Sequence, residues 1–307
     1  MVKMQSERKG EIKKEEVNIL KSQSAMEYLM TYGWAILIVA VVLAGLYNLG
    51  VFNGLGNTAR AQPGSCQVVR NTAIASQAVV SLQGLCQGQL PQFVATFDGS
   101  TSYFNSTVSL MPFGNNAITI TEWVYPTATS AMNFVTPGST GSGKNLYTGI
   151  SAQSNIIVND LSVSTGNVPA SANQWTFVAA TYSNPTITLY VYRGGVLVGT
   201  NTITDSGLSL PSGCQLVIGA QTGACGTPTG QYFQGWMANI QVYNVSLSPA
   251  ELQGQYAAGI GGAPIRPTAL VAWYPLNGNG NDYSGFSDLA HTNGHISYNN
   301  NWVTTYT

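Results

Sequence analysis

Seven carboxylates follow residue 60 in this sequence: Asp98, Glu122, Asp160, Asp205, Glu251, Asp282 and Asp288. Cleaving a glycosidic bond needs two such groups about 5–10 Å apart across the sugar. No stretch carries the E-x-D-x-x-E spacing that would set such a pair on one strand, and only Asp282 and Asp288 are even loose neighbours. Glu251 has the position of a helix cap, and Glu122 lies mid-strand beside Trp123. No catalytic residue is therefore assigned, and the chain is not expected to be an enzyme. His291 and His295 share a polar loop with no activated Ser or Cys near them, so nucleophilic chemistry has no candidates either. Four cysteines, Cys66, Cys86, Cys214 and Cys225, lack a C-x-x-C spacing and are remote from both histidines, which argues against zinc. An even count suggests oxidation. Three pairings are possible. Spacing alone favours Cys66 with Cys86 and Cys214 with Cys225, each loop worth about 2–4 kcal/mol.

One further acid stands apart. Glu27 directly precedes residues 28–52, a run of 25 residues without a charge. At about 1.5 Å per residue the apolar heart of that run nearly spans a bilayer, with Tyr28, Tyr32, Trp34 and Tyr47 towards its ends as interfacial aromatics. Six basic and four acidic residues crowd positions 1–22, whereas positions 23–307 hold five basic and eight acidic, net −3. Positive charge before the run and almost none after it places the N-terminus inside and the rest of the chain outside the cell.

The segment Lys21-Ser22-Gln23-Ser24-Ala25-Met26-Glu27-Tyr28, running into the apolar stretch, closely resembles an archaeal class III signal peptide of type IV pilin-like precursors. The resemblance implies a prepilin peptidase cutting between Ser22 and Gln23, which leaves Glu27 as the fifth residue of the mature chain. The pattern's usual Ser two places after the Gln is Ala25 here, with Ser at 24, which leaves the cut open by a residue or so. In such a subunit the helix first rests in lipid and then bundles with copies of itself or of related pilins. A buried Glu27 costs several kcal/mol unless it is paired, and the new amine at Gln23 is the implied partner. The competing reading is a plain single-span anchor.

Charged residues make up only 7% of the whole chain, and no basic patch exists beyond residue 22 to neutralise phosphates, so nucleic acid is not an expected partner. The 44% hydrophobic and 10% aromatic content is enough to build a core and excludes disorder. Residues 53–92 read as a Gly/Asn-rich linker holding one local disulfide. Beyond it, 116–125 alternates with period two and 175–182, 186–193, 196–202, 214–220 and 232–244 also read as strands, with Gly194-Gly195 as a two-residue hairpin loop. One helix is expected at 249–257, capped by Ser248 and Glu251, opened by Pro249 and closed by Gly259. Many short strands with one helix indicate an all-β jelly-roll sandwich preceded by one long hydrophobic helix.

Patches within 93–258 resemble the laminin-G-like, concanavalin A-like jelly roll: Phe97-Asp98-Gly99, Gln174-Trp175-Thr176-Phe177, and Phe233-Gln234-Gly235 leading through Ile240-Gln241-Val242-Tyr243 to the capped helix. Leu270 through Gly285 looks like the first strand and loop of the same family displaced to the end. It either closes this sandwich in permuted order over residues 268–307 or adds a strand to a neighbour, and closure is favoured because a bare apolar edge aggregates. The resemblance implies no cofactor beyond a weak calcium site: Asp98 matches the family's acidic turn, but Ala238 and Asn239 replace its acidic pair. Asp98 and Asn239 with backbone carbonyls are the candidate ligands, against the alternative that Asp98 bonds its own turn. Asn105-Ser106-Thr107 and Asn244-Val245-Ser246 are glycosylation sequons.

The organisation expected is thus a leader at 1–22, a membrane or filament-core helix at 23–52, the linker at 53–92 and the jelly roll at 93–307. Function is expected to be that of a cell-surface, pilin-like subunit or adhesin displaying a lectin-like domain towards a carbohydrate. A membrane-anchored carbohydrate-binding module, or a degenerate glycosidase outside any filament, is the alternative. Sequencing the native protein from its amino end should begin at or within a residue of Gln23, and an intact leader would reject the pilin reading.

Overall fold

The computed structural model describes residues 30, 32–44, 60–61, 90–109, 117–137, 146–159, 168–205, 214–224, 227–284, 291–293 and 296–306. The chain divides into two units, residues 1–58 and 59–307. In the first, residues 32–44 form a helix (α1) whose large apolar side chains, from Tyr32 to Leu43, are each between 49 and 68% exposed. Among the described residues no helix is long and apolar enough to cross a membrane. Ser22, Gln23, Glu27 and the remainder of the expected 23–52 helix, apart from Met30, lie outside the described residues.

In the second unit the strands run β1 (Arg60–Ala61), β2 (Leu90–Pro91), β3 (Val94–Asp98), β4 (Tyr103–Ser109), β5 (Ala117–Pro126), β6 (Met132–Pro137), β7 (Tyr147–Ile150), β8 (Asn155–Asn159) and β9 (Val168–Pro169). They continue as β10 (Thr176–Ser183), β11 (Thr186–Arg193), β12 (Val196–Thr204), β13 (Gln215–Ile218), β14 (Gln221–Ala224), β15 (Thr227–Gly230) and β16 (Gln234–Tyr243). Helix α2 (Pro249–Ala257) follows, and then β17 (Leu270–Tyr274), β18 (His291–Asn293) and β19 (Ser297–Asn299). The larger sheet is ordered β12-β11-β10-β5-β16-β3-β19, with β17 also on β16, and the smaller β18-β4-β13-β6-β7-β8-β9. All pairings in both are antiparallel. Two antiparallel sheets of this kind make the expected all-β sandwich.

Strand alternation creates two apolar layers. Ile118, Ile120 and Val124 of β5 point between the sheets with Phe97, Leu189, Phe134 and Ile156. Trp123 and Tyr125 of the same strand point the other way, into a second cluster on the outer face with Phe177, Tyr192, Trp273 and Trp302. Helix α2 lies over that outer cluster. Its capping box is complete: the Ser248 hydroxyl accepts from Glu251 N, and the Glu251 carboxylate accepts from Ser248 N at 2.8 Å. The β11–β12 loop takes positive φ at both glycines, 55° at Gly194 and 86° at Gly195, a geometry that suits the twist of a two-residue hairpin.

The tail is part of the sandwich. Strand β17 pairs with β16, β18 with β4 and β19 with β3, all within the one chain. Asn277 Oδ1 accepts from Phe93 N at 2.9 Å, and Asp282 Oδ1 accepts from Trp273 N and Ser284 N, both at 2.8 Å. Making room for β17 takes one extra residue in β16. Asn239 adopts φ +50°, and the register against β5 shifts between Ala238 and Gln241. Met237 and Ile240 therefore both reach the inter-sheet core where plain alternation would send Ile240 outward.

Glu122 occupies the same parity as Ile120 and Val124, so its side chain enters the inter-sheet core and is fully buried. Neither carboxyl oxygen has a hydrogen-bond partner. Burial pushes its pKa up to about 8, tempered by the nearby hydroxyl of Thr148, which itself accepts from Val135 N at 3.2 Å. The carboxyl is thus carried as the neutral acid. Its folded-state value lies above the unfolded one, so its contribution to folding is most favourable below pH 4.5 and is lost as pH rises towards 8, by up to about 1.4 kcal/mol per unit. Glu122→Met should remove that dependence: its melting temperature should match the wild type near pH 5 and exceed it increasingly up to about pH 8, where the gap levels off. Parallel melting curves from pH 5 to 9 would show that Glu122 does not titrate in this range.

Candidate functional site

On the outer face, where β10 and β11 run past the start of α2, the surface opens into a groove of about 490 Å³. Its floor is Thr181 and Ser183 from β10 with Thr186, Thr188 and Tyr190 from β11. The pairings Thr181↔Thr188 and Ser183↔Thr186 set the hydroxyls side by side, two per rung. The wall is the turn into α2, with Ser246 and Ser248, together with Glu251 and Arg266. Thr119 fixes that turn against the sheet: its hydroxyl accepts from Leu247 N at 2.9 Å and donates to Val245 O at 2.7 Å.

Arg266 and Glu251 form an ion pair at the rim, with the arginine side chain 49% exposed. The Ser248 backbone N–H, then its hydroxyl, then Arg266 hold the Glu251 carboxyl below its usual range. With the one cation matched to the one anion, the lining is electrically neutral and rich in groups that both donate and accept hydrogen bonds. Half-buried Tyr190 adds an aromatic surface, and burial raises its phenol above the usual value, which keeps it protonated. Such a lining suits a neutral polyhydroxylated ligand.

Of the residues singled out from the sequence, few meet. Against the upward push of burial, the Thr101, Ser100 and Ser102 backbone N–H groups hold the Asp98 carboxyl far below its usual range. Asp98 Oδ1 accepts from all three, at 2.8, 2.8 and 3.0 Å, and Oδ2 accepts from the Thr101 hydroxyl. Asn239 is buried elsewhere. Gln234 pairs with Asp98 and Asn239 lies five residues further along β16; its Oδ1 accepts from Trp273 Nε1 at 2.7 Å and Gln241 Nε2 at 2.8 Å, while its amide donates to Gly262 O. The structure does not bring Asp98 and Asn239 together, because the extra residue of the bulge carries Asn239 to the β17 junction. Among the described residues no group of three metal-ligating side chains occurs.

Of the other described acids, Glu122 is committed to the core, Glu251 to the cap and Asp282 to the tail, while Asp205 is buried just past β12, its backbone N donating to Pro185 O. Asp160 and Asp288 lie outside the described residues, as do His295, Cys66, Cys86 and Cys225. Cys214 is buried and disulfide-bonded. His291 falls on β18, paired with Asn105 of β4, rather than in a loop. Asn105 lies within β4, where its amide donates to Gln215 Oε1 at 2.9 Å, and half-buried Asn244 lies just beyond β16, near the groove's Ser246. The groove itself draws on residues from Thr181 to Arg266, and no local motif announces it.

The family model described as the concanavalin A-like lectin/glucanases superfamily matches residues 68–253. A comparison with curated proteins returns no match. Among solved structures, a candidate carbohydrate-binding protein from Bacteroides ovatus is similar at TM-score 0.52 and 19% identity, over 72% of this chain and 65% of that one. A heptameric pentraxin from Limulus polyphemus is similar at TM-score 0.47 and 15% identity, over 67% of this chain and 94% of that one. The chain thus spans about two thirds of the Bacteroides protein, and at these identities the likeness is one of fold.

Proposed function

The chain belongs to the concanavalin A-like lectin/glucanases superfamily, and from that premise we propose that it is a non-catalytic, surface-displayed module that binds a neutral glycan. The observation that carries the reading is the hydroxyl-floored groove with Tyr190 along it and the Arg266–Glu251 pair at its rim. Ser and Thr hydroxyls exchange hydrogen bonds with sugar hydroxyls in either direction, and the charged pair offers stronger, charge-assisted ones. The described acids support binding over hydrolysis, since Asp98, Glu122, Glu251 and Asp282 are committed to a turn, the core, a cap and the tail, and none of the residues lining the groove pairs a second carboxylate with Glu251. The likeness to the Bacteroides protein points the same way.

In the cell, the domain is displayed by a pilin-like subunit or anchor. The support for this placement is the class III signal resemblance at residues 21–36 and an apolar α1 whose exposed side chains call for lipid or for copies of the same helix. The domain would then be held outward on a membrane-seated or filament-seated helix, with local disulfides Cys66–Cys86 and Cys214–Cys225. Calcium plays no part in this reading, since the Asp98 carboxylate already serves its own turn.

Two measurements test these statements. Arrayed neutral and sialylated or sulfated glycans probed with the full-length chain should give neutral ligands whose binding changes little between 50 and 500 mM salt (roughly, by the screening expected of an uncharged pair). Arg266→Ala and Tyr190→Ala should each weaken that binding about tenfold at an unchanged fold, whereas selective retention of anionic glycans would reject the groove. Separately, Glu27→Ala should leave membrane insertion intact and reduce assembly in cells, and normal filaments from it would contradict the charge pairing.

A further inference from the structure

Four of the five tryptophans of the sandwich are core residues: Trp123, Trp175, Trp273 and Trp302 are each at most 5% exposed. Trp236 is the exception: it packs on the same outer cluster but is only partly buried. Its indole stacks on Tyr125 with ring centroids 4.5 Å apart and 17° between planes, and Trp175 stands behind at 6.4 Å. Gly235 makes the stack possible. A Cβ there would lie 2.1 Å from Tyr125 O, so only glycine, at φ +142°, lets β16 come this close to β5.

Around the ring, the alternation of β3 and β16 puts Thr96, Asp98 and Gln234 on the same outer face. Exposed Thr127 and the turn at Asn173-Gln174 border it, Asn173 N donating to Pro126 O at 2.7 Å. The side-chain amide of exposed Gln234 and the hydroxyl of half-buried Thr96 bond to no other described protein group. A rigid, supported indole flanked by the free side chains of Gln234 and Thr96 is the pattern that receives the C–H face of a pyranose while its edge hydroxyls are held.

This platform is distinct from the groove. Thr181, on the groove floor, pairs with Thr119, which lies six residues before Tyr125 on β5, a separation of about 20 Å. Helix α2 stands between, its Tyr256 stacked on Trp123 at 5.4 Å. We propose that Trp236, backed by Tyr125 and flanked by Gln234 and Thr96, is a second neutral-sugar site, so that one face of the domain grips a glycan chain or cluster at two points. The inference rests on the glycan reading above, with a different set of residues. Two linked contacts raise the affinity for a polymer above that for a short fragment without any new contact.

The test uses the full-length chain in mild detergent with dextran, laminarin and xylan, each as polymer and as trisaccharide, followed by calorimetry and tryptophan fluorescence. The wild type should bind two trisaccharides per chain and prefer the polymer, with an emission shift on binding. Trp236→Ala should bind one, lose about tenfold in polymer affinity and lose the shift; Trp236→Tyr should keep both sites within about threefold. Gln234→Ala, at an exposed position, should lose about threefold and guards against a folding defect in the alanine variant. A wild type that binds one trisaccharide, or a folded Trp236→Ala indistinguishable from it, overturns the platform and leaves the groove standing. A wild type that binds none of the probes overturns the glycan reading and the platform with it.

Discussion

Strand β16 has to satisfy more neighbours than a strand has edges. On one side it pairs with β5 for most of its length; on the other, Gln234 to Met237 pair with β3 and Ile240 to Tyr243 with β17. The bulge at Asn239 divides the two. Its side chain then ties the division down by accepting from Trp273 Nε1 and reaching Gly262 O. Gln241, Gln255 and Tyr243 extend this into a buried polar network whose members bond one another. Such a network is expensive to leave half-satisfied, so it fixes the position of β17 and α2 together. The inter-sheet core, the outer aromatic layer and the turn that walls the groove all take their placement from that junction.

The outer face is consequently covered in its middle and open at two ends. Tyr256 of α2 stacks on both Trp123 and Tyr192, and Gly195 N in the β11–β12 loop donates to its hydroxyl at 2.7 Å. Trp302 and Tyr306 seal the far side of the same cluster, with Trp175 Nε1 donating to Thr305 Oγ1. What escapes cover is the hydroxyl-rich groove on one flank and Trp236 on the other. Neither is an accident of a loop: both are floored by sheet residues whose neighbours are set by hydrogen-bond register, which gives them the rigidity that recognition requires.

Much of this was written locally. The strand at 117–126 follows a stretch of visible alternation, those at 186–193 and 196–204 flank the Gly194-Gly195 loop, and α2 coincides with its caps because Ser248, Pro249 and Glu251 act over three residues. The smaller sheet was far less legible. Strands β6 (MNFVTP) and β7 (YTGI) are short and carry no sustained period of two, so nothing in the sequence marks them as strands. The parity that puts Ile118, Ile120 and Val124 inside also puts Glu122 there, a consequence present in the sequence but masked by the expectation that a carboxylate faces water. Separating Trp236 from Trp123, Trp175, Trp273 and Trp302 required knowing what α2 and the tail cover. The groove required bringing Thr181 next to Arg266, and a linear reading has no means of pairing those.

Strands β17, β18 and β19 complete pairings opened by β16, β4 and β3, and Trp302 fills the outer layer with no exposed surface. Through synthesis, then, the aromatic layer waits on residues around 270–302, and until they emerge the nascent chain presents Trp123, Phe177 and Tyr243 unsealed. A chain cut short before residue 270 would therefore lack both β17 on the larger sheet and the two indoles, Trp273 and Trp302, that complete the outer layer.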